Sequence, residues 1–220
     1  YLQNYKFESQ HHVVLKFYLE DKYTTVKKPV VYLYSDEPVA LDLKLRTDVE
    51  LTFTYPAYQD GWKLSVDPED GLHVEGKQYP YLFWEGKDYG ALSYATSNDQ
   101  LIGQIIDTDT IIPYLEKMTT NFGMNSTEAT DFITFWGPIL STQNYAFVQF
   151  VIDDDYDKIA AIESSTPITN ERRVFMLFES YSSFPAGIQV TNAQPSAGVF
   201  TRSGLTLVEW GGAEVPLPKL

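Results

Sequence analysis

Two acids stand beside tryptophans in this sequence: Glu85 follows Trp84, and Glu209 precedes Trp210. An indole packed on a carboxyl group desolvates it and raises its pKa, which a general acid needs. Two such carboxylates facing each other across a cleft would hydrolyse a glycosidic bond. The plainer role for each is to close a strand end or to pair with Arg172, Arg173 or Arg202. A second acidic group, Asp153, Asp155 and Asp157, offers closely spaced oxygen ligands to a cation such as Ca2+. It lacks the glycine and terminal glutamate of an EF-hand loop at their offsets, so a solvated hairpin tip is the preferred reading. Trp62, Trp84 and Trp210 are the residues expected to stack on sugar rings if the protein binds carbohydrate.

The remaining chemical inventory is thin. The three histidines are His11, His12 and His73. Adjacent strand residues point to opposite faces, so His11 and His12 make a poor metal pair. His73 falls on the polar side of its own alternation. No G-x-S-x-G elbow, H-E-x-x-H, P-loop or G-x-G-x-x-G motif occurs. With no cysteine, thiol catalysis, disulfides and Cys-ligated metals are excluded. No cofactor is implied, and the reading is non-enzymatic. The formal net charge of −14 is spread along the chain, which opposes nucleic-acid binding. No apolar run reaches the roughly 18 residues that cross a bilayer, so membrane insertion is not expected.

The elements that must position these residues are mainly strands. Val30 to Tyr34 is a short continuous apolar run, the pattern of a strand buried on both faces. Val39, Leu41, Leu43 and Leu45 alternate with polar residues, as do Val49, Leu51, Phe53 and Tyr55 after Thr47-Asp48. The two runs read as an antiparallel hairpin with one wet face, ended by Pro56. Pro68-Glu69-Asp70-Gly71 is a turn between two further strands. Ile111, Leu115, Met118 and Phe122 are spaced as one helical face, with Asp107 to Asp109 as caps and Gly123 as the stop. Asn125 and Glu128 form a capping box for a second helix, which Gly137-Pro138 is expected to kink or end. Strands resume at 145–152, turn at Asp153 to Asp155 and return at 159–162. Further strands are expected at 173–179, 188–190, 199–201 and 205–210, with Gly211-Gly212 after the last.

The fold class is therefore mainly β, an α+β arrangement of antiparallel, sandwich-like sheets with a helical pair inserted near the middle. Residues 1–27 form an N-terminal arm, 28–100 an antiparallel β domain, and 101–220 an α+β part packed on it. In the arm, Val13, Leu15, Phe17 and Leu19 fall on one side of a strand. That strand belongs either to its own sheet or to a neighbouring copy that it completes by β-augmentation.

Six motifs occur in order: Lys28-Pro29-Val30-Val31-Tyr32-Leu33-Tyr34; Tyr55-Pro56 with Asp60-Gly61-Trp62; Tyr81 to Gly86; Asp131-Phe132-Ile133 with Phe135-Trp136; Arg173 to Met176; and Val208 to Gly212. Together they resemble a family of uncharacterised bacterial and protist proteins marked by K-P-V-I-Y-L-Y-P, G-W, Y-L-F-W-E-G and V-E-W-G-G. The resemblance covers nearly everything after Lys27. Ser35 departs from the family's proline, and Gly137 from its leucine. The family brings no established activity; its members' exported character implies an extracytoplasmic location. The combined expectation is a secreted or cell-surface structural or adhesive module. It would associate with copies of itself or with other surface proteins through the arm. The alternative is a carbohydrate-binding module on a polysaccharide, and after it a glycoside hydrolase.

Overall fold

The computed structural model describes residues 22–90 and 92–217. The arm residues Val13, Leu15, Phe17 and Leu19, with His11 and His12, lie outside the described residues. In chain order the first strands are β1 (Thr24–Tyr34), β2 (Val39–Arg46), β3 (Glu50–Tyr55), β4 (Trp62–Asp67), β5 (Gly71–Val74), β6 (Lys77–Tyr79) and β7 (Leu82–Asp88). Then come β8 (Thr96–Ser97), β9 (Gln100–Leu101), β10 (Gln104–Asp107), α1 (Ile111–Asn121) and α2 (Ser126–Leu140). The chain closes with β11 (Tyr145–Ile152), β12 (Ala161–Ser164), β13 (Asn170–Tyr181) and β14 (Thr206–Glu214).

The elements stack in three layers. One sheet has the order β10-β11-β13-β14-β1-β7-β3, a second has β12-β2-β4-β5-β6, and β8-β9 is a small ribbon. Period-2 alternation divides β1 between two cores. Val31 and Leu33 pack with Leu41, Trp62 and Leu64 between the sheets. Val30 and Tyr32 pack with Leu115, Trp136 and Trp210 under the helices. The continuous apolar run is thus a central strand covered on both sides, as its sequence requires. The architecture is mainly β with the helical pair in the middle, but the large sheet is mixed: β13 and β14 run parallel.

Several local expectations change in the structure. The run 39–45 and the run 49–55 do not form a hairpin; β2 pairs β4 in one sheet and β3 pairs β7 in the other. The chain crosses between layers at Thr47-Asp48, which is why each run keeps its own alternation. Likewise β12 does not return along β11 but crosses to pair with β2. Lys28-Pro29 lies inside β1, at a bulge between Lys27 and Val30 where Lys28 takes a φ of 51°. A bulge is where a strand tolerates a residue with no N–H. Residues 188–190 and 199–201 form no extended strand; only Val190 bridges to Leu101. A boundary at residue 100 falls within the large sheet, since β1, β3 and β7 share it with β10, β11, β13 and β14.

The helices follow their predicted faces. Ile111, Leu115, Met118 and Phe122 are all buried. Asn125 accepts a bond from the Glu128 N–H at 3.0 Å, and the Glu128 side chain accepts from the Asn125 N–H at 2.9 Å, completing the capping box. Pro138 lies inside α2, which runs on two residues to Leu140. Gly211 and Gly212 lie inside β14. A Cβ at Gly212 would stand 2.6 Å from the Met176 carbonyl oxygen and 2.8 Å from the Trp136 ring. This glycine lets α2 press directly on the sheet.

Candidate functional site

Glu209 projects from β14 into the core between the sheets and is fully buried. Arg173, also fully buried, donates to it through Nε at 2.7 Å and Nη2 at 2.6 Å. The other carboxylate oxygen accepts from Trp84 Nε1 at 2.9 Å. Arg173 also donates to the Ala160 carbonyl, pairs with Asp157, and lies 4.3 Å over the Tyr156 ring. Glu171 approaches the same guanidinium at 3.5 Å. Burial, with the neighbouring acids against the pull of Arg173, pushes its carboxyl up to about 7. Both Glu209 oxygens are committed to fixed donors, so this carboxylate ties β7, β13 and β14 together. Glu85 is one residue past Trp84 on β7 and faces the helix side of the sheet. The two acids singled out by sequence are therefore on opposite faces and share no cleft.

The three aspartates part company in the same way. They sit on a short 3-10 turn, Asp153–Lys158. Asp153 accepts from the Arg173 N–H at 2.9 Å and pairs with Arg172 at 3.4 Å. Asp155 pairs with Lys158, and Asp157 with Arg173. Each answers a cation of the protein itself. Among the described residues no group of three or more His, Cys, Asp or Glu is placed to hold a metal ion.

Trp62, Trp84 and Trp210 are each at most 1% exposed. Trp62 donates to the Pro56 carbonyl at 2.9 Å, and Trp210 packs against Phe132 in a T-shaped pair. Rings so enclosed present no face to a sugar, so these three are core residues and not stacking platforms. The alternation Trp62-Lys63-Leu64-Ser65-Val66 is the sequence signal that could have placed Trp62 inward.

A second polar cluster pins the helices to β1. Arg202 donates to both Glu128 oxygens, at 2.9 and 2.6 Å. Tyr34 donates to Glu128 at 2.7 Å and Tyr32 to Asp131 at 2.8 Å. Burial and the adjacent carboxylates push both phenols above their ordinary pKa. The Asn125 side-chain nitrogen donates to Tyr34 and Glu128, at 3.2 and 3.1 Å. Asn125 is thus engaged in structure on both its backbone and its side chain.

An apolar cavity of about 460 Å³ lies beside β11, lined by Leu92, Ile102, Gln149, Val151, Ile159 and Leu177 among others. Specific small-molecule sites add a few convergent polar groups to such a lining. Here the Gln149 amide is spent on Ala95 and Ile102 backbone groups, and Lys158 and Asp155 on each other.

The feature that stands apart is the edge of the large sheet. Of its two edges and the two of the smaller sheet, β10 and β12 have 4 residues, β6 has 3, and β3 has 6. Short edges are a normal defence against unwanted pairing, as are charges, prolines and bulges. β3 opens on Glu50 and has a register shift between Leu51 and Phe53, but carries no charge or proline along Leu51-Thr52-Phe53-Thr54-Tyr55. Its Phe53 is 55% and its Tyr55 56% exposed. Phe53 stands edge-on to the half-buried Phe83 at 5.8 Å and 62°. Tyr55 meets Tyr79 at 5.5 Å and 78°. These steep angles make a ridged apolar shelf and not a coplanar row. The sequence signal for it was the period-2 pattern of β3, assigned there to a hairpin with the 39–45 run.

Comparison with known proteins gives no match: no family profile, no curated protein and no solved structure is significantly similar to the chain. The family resemblance rests on its six motifs alone.

Proposed function

We propose that this protein is a non-enzymatic structural or adhesive module that works by association with copies of itself, or with other surface proteins, through a sheet edge. The observation that carries this reading is β3: a six-residue outer strand without charge between Leu51 and Tyr55, beside two exposed aromatic rings. An outer strand offers a row of backbone N–H and C=O groups to another chain. The shelf of Phe53, Tyr55 and Phe83 adds apolar area next to that row. The commitment of Glu209 and of the three aspartates to internal partners supports a scaffold role for residues that would otherwise be catalytic candidates. The extracytoplasmic placement rests on the family resemblance. Among the described residues no helix is long and apolar enough to cross a membrane.

The reading is tested by the mass of the full chain in solution across a wide concentration range. A mass that rises with concentration supports self-association. A mass fixed at one copy throughout overturns self-association, leaving only other surface proteins as partners, and turns attention to polysaccharide binding.

A further inference from the structure

We infer that the cavity beside β11 holds one residue of a short apolar peptide, paired with the backbone of β11 at Phe150 and Ile152. The polar side chains of that cavity are already spent, but the backbone of its wall is not. β10 pairs with β11 only from Asp107 opposite Tyr145 to Gln104 opposite Val148, so residues 149–152 run on past its end. Where β10 stops, a side chain takes its place: Gln194 accepts from the Phe150 N–H at 3.2 Å and donates to the Val148 carbonyl at 2.9 Å. In an antiparallel ladder alternate residues turn their peptide groups to the same neighbour. Phe150 and Ile152 therefore turn theirs to the side that β10 has left, while Val151, between them, turns to Phe175 on β13. The Phe150 carbonyl and the Ile152 N–H come next along this edge. Among the described residues no turn, loop or side-chain hydrogen bond engages either group.

A carbonyl and an N–H two residues apart on one strand edge are the pair that a single residue of a parallel strand satisfies. Its N–H donates to the Phe150 carbonyl, and its C=O accepts from the Ile152 N–H. The lining sets the side chain. Leu92, Ile102, Ile159 and Leu177 stand around the space, so an apolar side chain gains by burial there. A charged one finds no partner, because Gln149 is held by Ala95 and Ile102 and Lys158 by Asp155. At about 460 Å³ the space suits a short peptide and not a folded protein. Strand addition takes affinity from main-chain bonds and specificity from such a pocket. β11 lies toward the opposite edge of the large sheet from β3, so this site is separate from the one that carries the association reading.

The test uses the full-length wild type and N-acetyl-leucine N-methylamide, an uncharged single residue with both ends blocked. Titrated into isotope-labelled protein, this probe is expected to shift the amide resonance of Ile152, with those of Leu92, Ile102 and Ile159, and to slow hydrogen exchange at the Ile152 N–H. Two analogues separate the parts of the inference. Methylation of the leucine nitrogen removes the donor to the Phe150 carbonyl and is expected to weaken binding at least about tenfold. N-acetyl-glutamate N-methylamide keeps the backbone pair but carries a charge into the apolar space, and a loss of at least about tenfold is expected again. No change at Ile152 on adding the leucine probe overturns the inference. So does equal affinity for the leucine probe and either analogue, which would mark a cavity that reads neither the main chain nor the side chain as argued. None of these results bears on the association reading, which is decided by the mass in solution.

Discussion

Replacing Glu209 by Gln is the sharpest probe of how the strands of the large sheet are held on its inner face. The change keeps the shape and keeps an oxygen for Trp84 Nε1, which now donates at 2.9 Å. It removes the charge that faces Arg173 at 2.6 Å, where both side chains are fully buried. Arg173 retains Asp157, but that carboxylate is half exposed, so the main compensation is gone. Leaving one partner of a buried pair unmatched costs about 3–5 kcal/mol. For a chain of this size each kcal/mol lowers Tm by about 2–4 °C, so the expected loss is roughly 6–20 °C. Urea and thermal melts of E209Q, R173M and the double variant would measure it. The double variant is expected to fall well short of the sum of the singles, by about 1–3 kcal/mol, because the unmatched charge is then absent. If E209Q melts within about 2 °C of the wild type, the carboxylate is not structural. A gain in stability would instead mark it as a strained functional acid.

Other changes probe separate parts of the account. Gly212→Ala drives a methyl group against the Met176 carbonyl and the Trp136 ring; a loss of about 1–3 kcal/mol in urea melts is expected from such overpacking. For pH, the carboxyl of Glu171 is held up at about 7 in the fold, above its ordinary value of about 4.3 in the unfolded chain. Between those values the folded state binds more protons, so this group's contribution falls as pH rises through the window and is lost above it. Glu171→Gln should therefore gain stability relative to the wild type on going from pH 5 to pH 8, with Tm read at each. A constant difference across that range would contradict the assignment.

Much of the fold was legible in the sequence because burial imposes a period. Val30 to Tyr34 reads as a strand covered on both faces, and it is an interior strand of the large sheet, between β14 and β7. The face of α1 and the Asn125 capping box are also local patterns, and they stand as read. What the pattern does not carry is which sheet a strand joins. Val39 to Leu45 and Val49 to Tyr55 each alternate cleanly, yet the three residues between them take the chain from one layer to the other. The burial of Arg173 and Glu209 has no local signature at all; Glu209 lies in a run of apolar residues, Arg173 follows Asn170-Glu171-Arg172, and only the pairing of β13 with β14 sets them side by side. For the same reason Glu85 and Glu209 looked alike in sequence, each beside a tryptophan, and ended on opposite faces. The place of β3 at the rim of the large sheet has the same non-local origin: it pairs with β7 and not with the 39–45 run.

The most direct test of the central claim is sedimentation of the full-length protein over a hundredfold range of concentration, beside Phe53→Lys at the same concentrations. The account predicts a wild type whose mass rises above one copy and a folded variant that stays at one copy. Equal masses for the two at every concentration would contradict it.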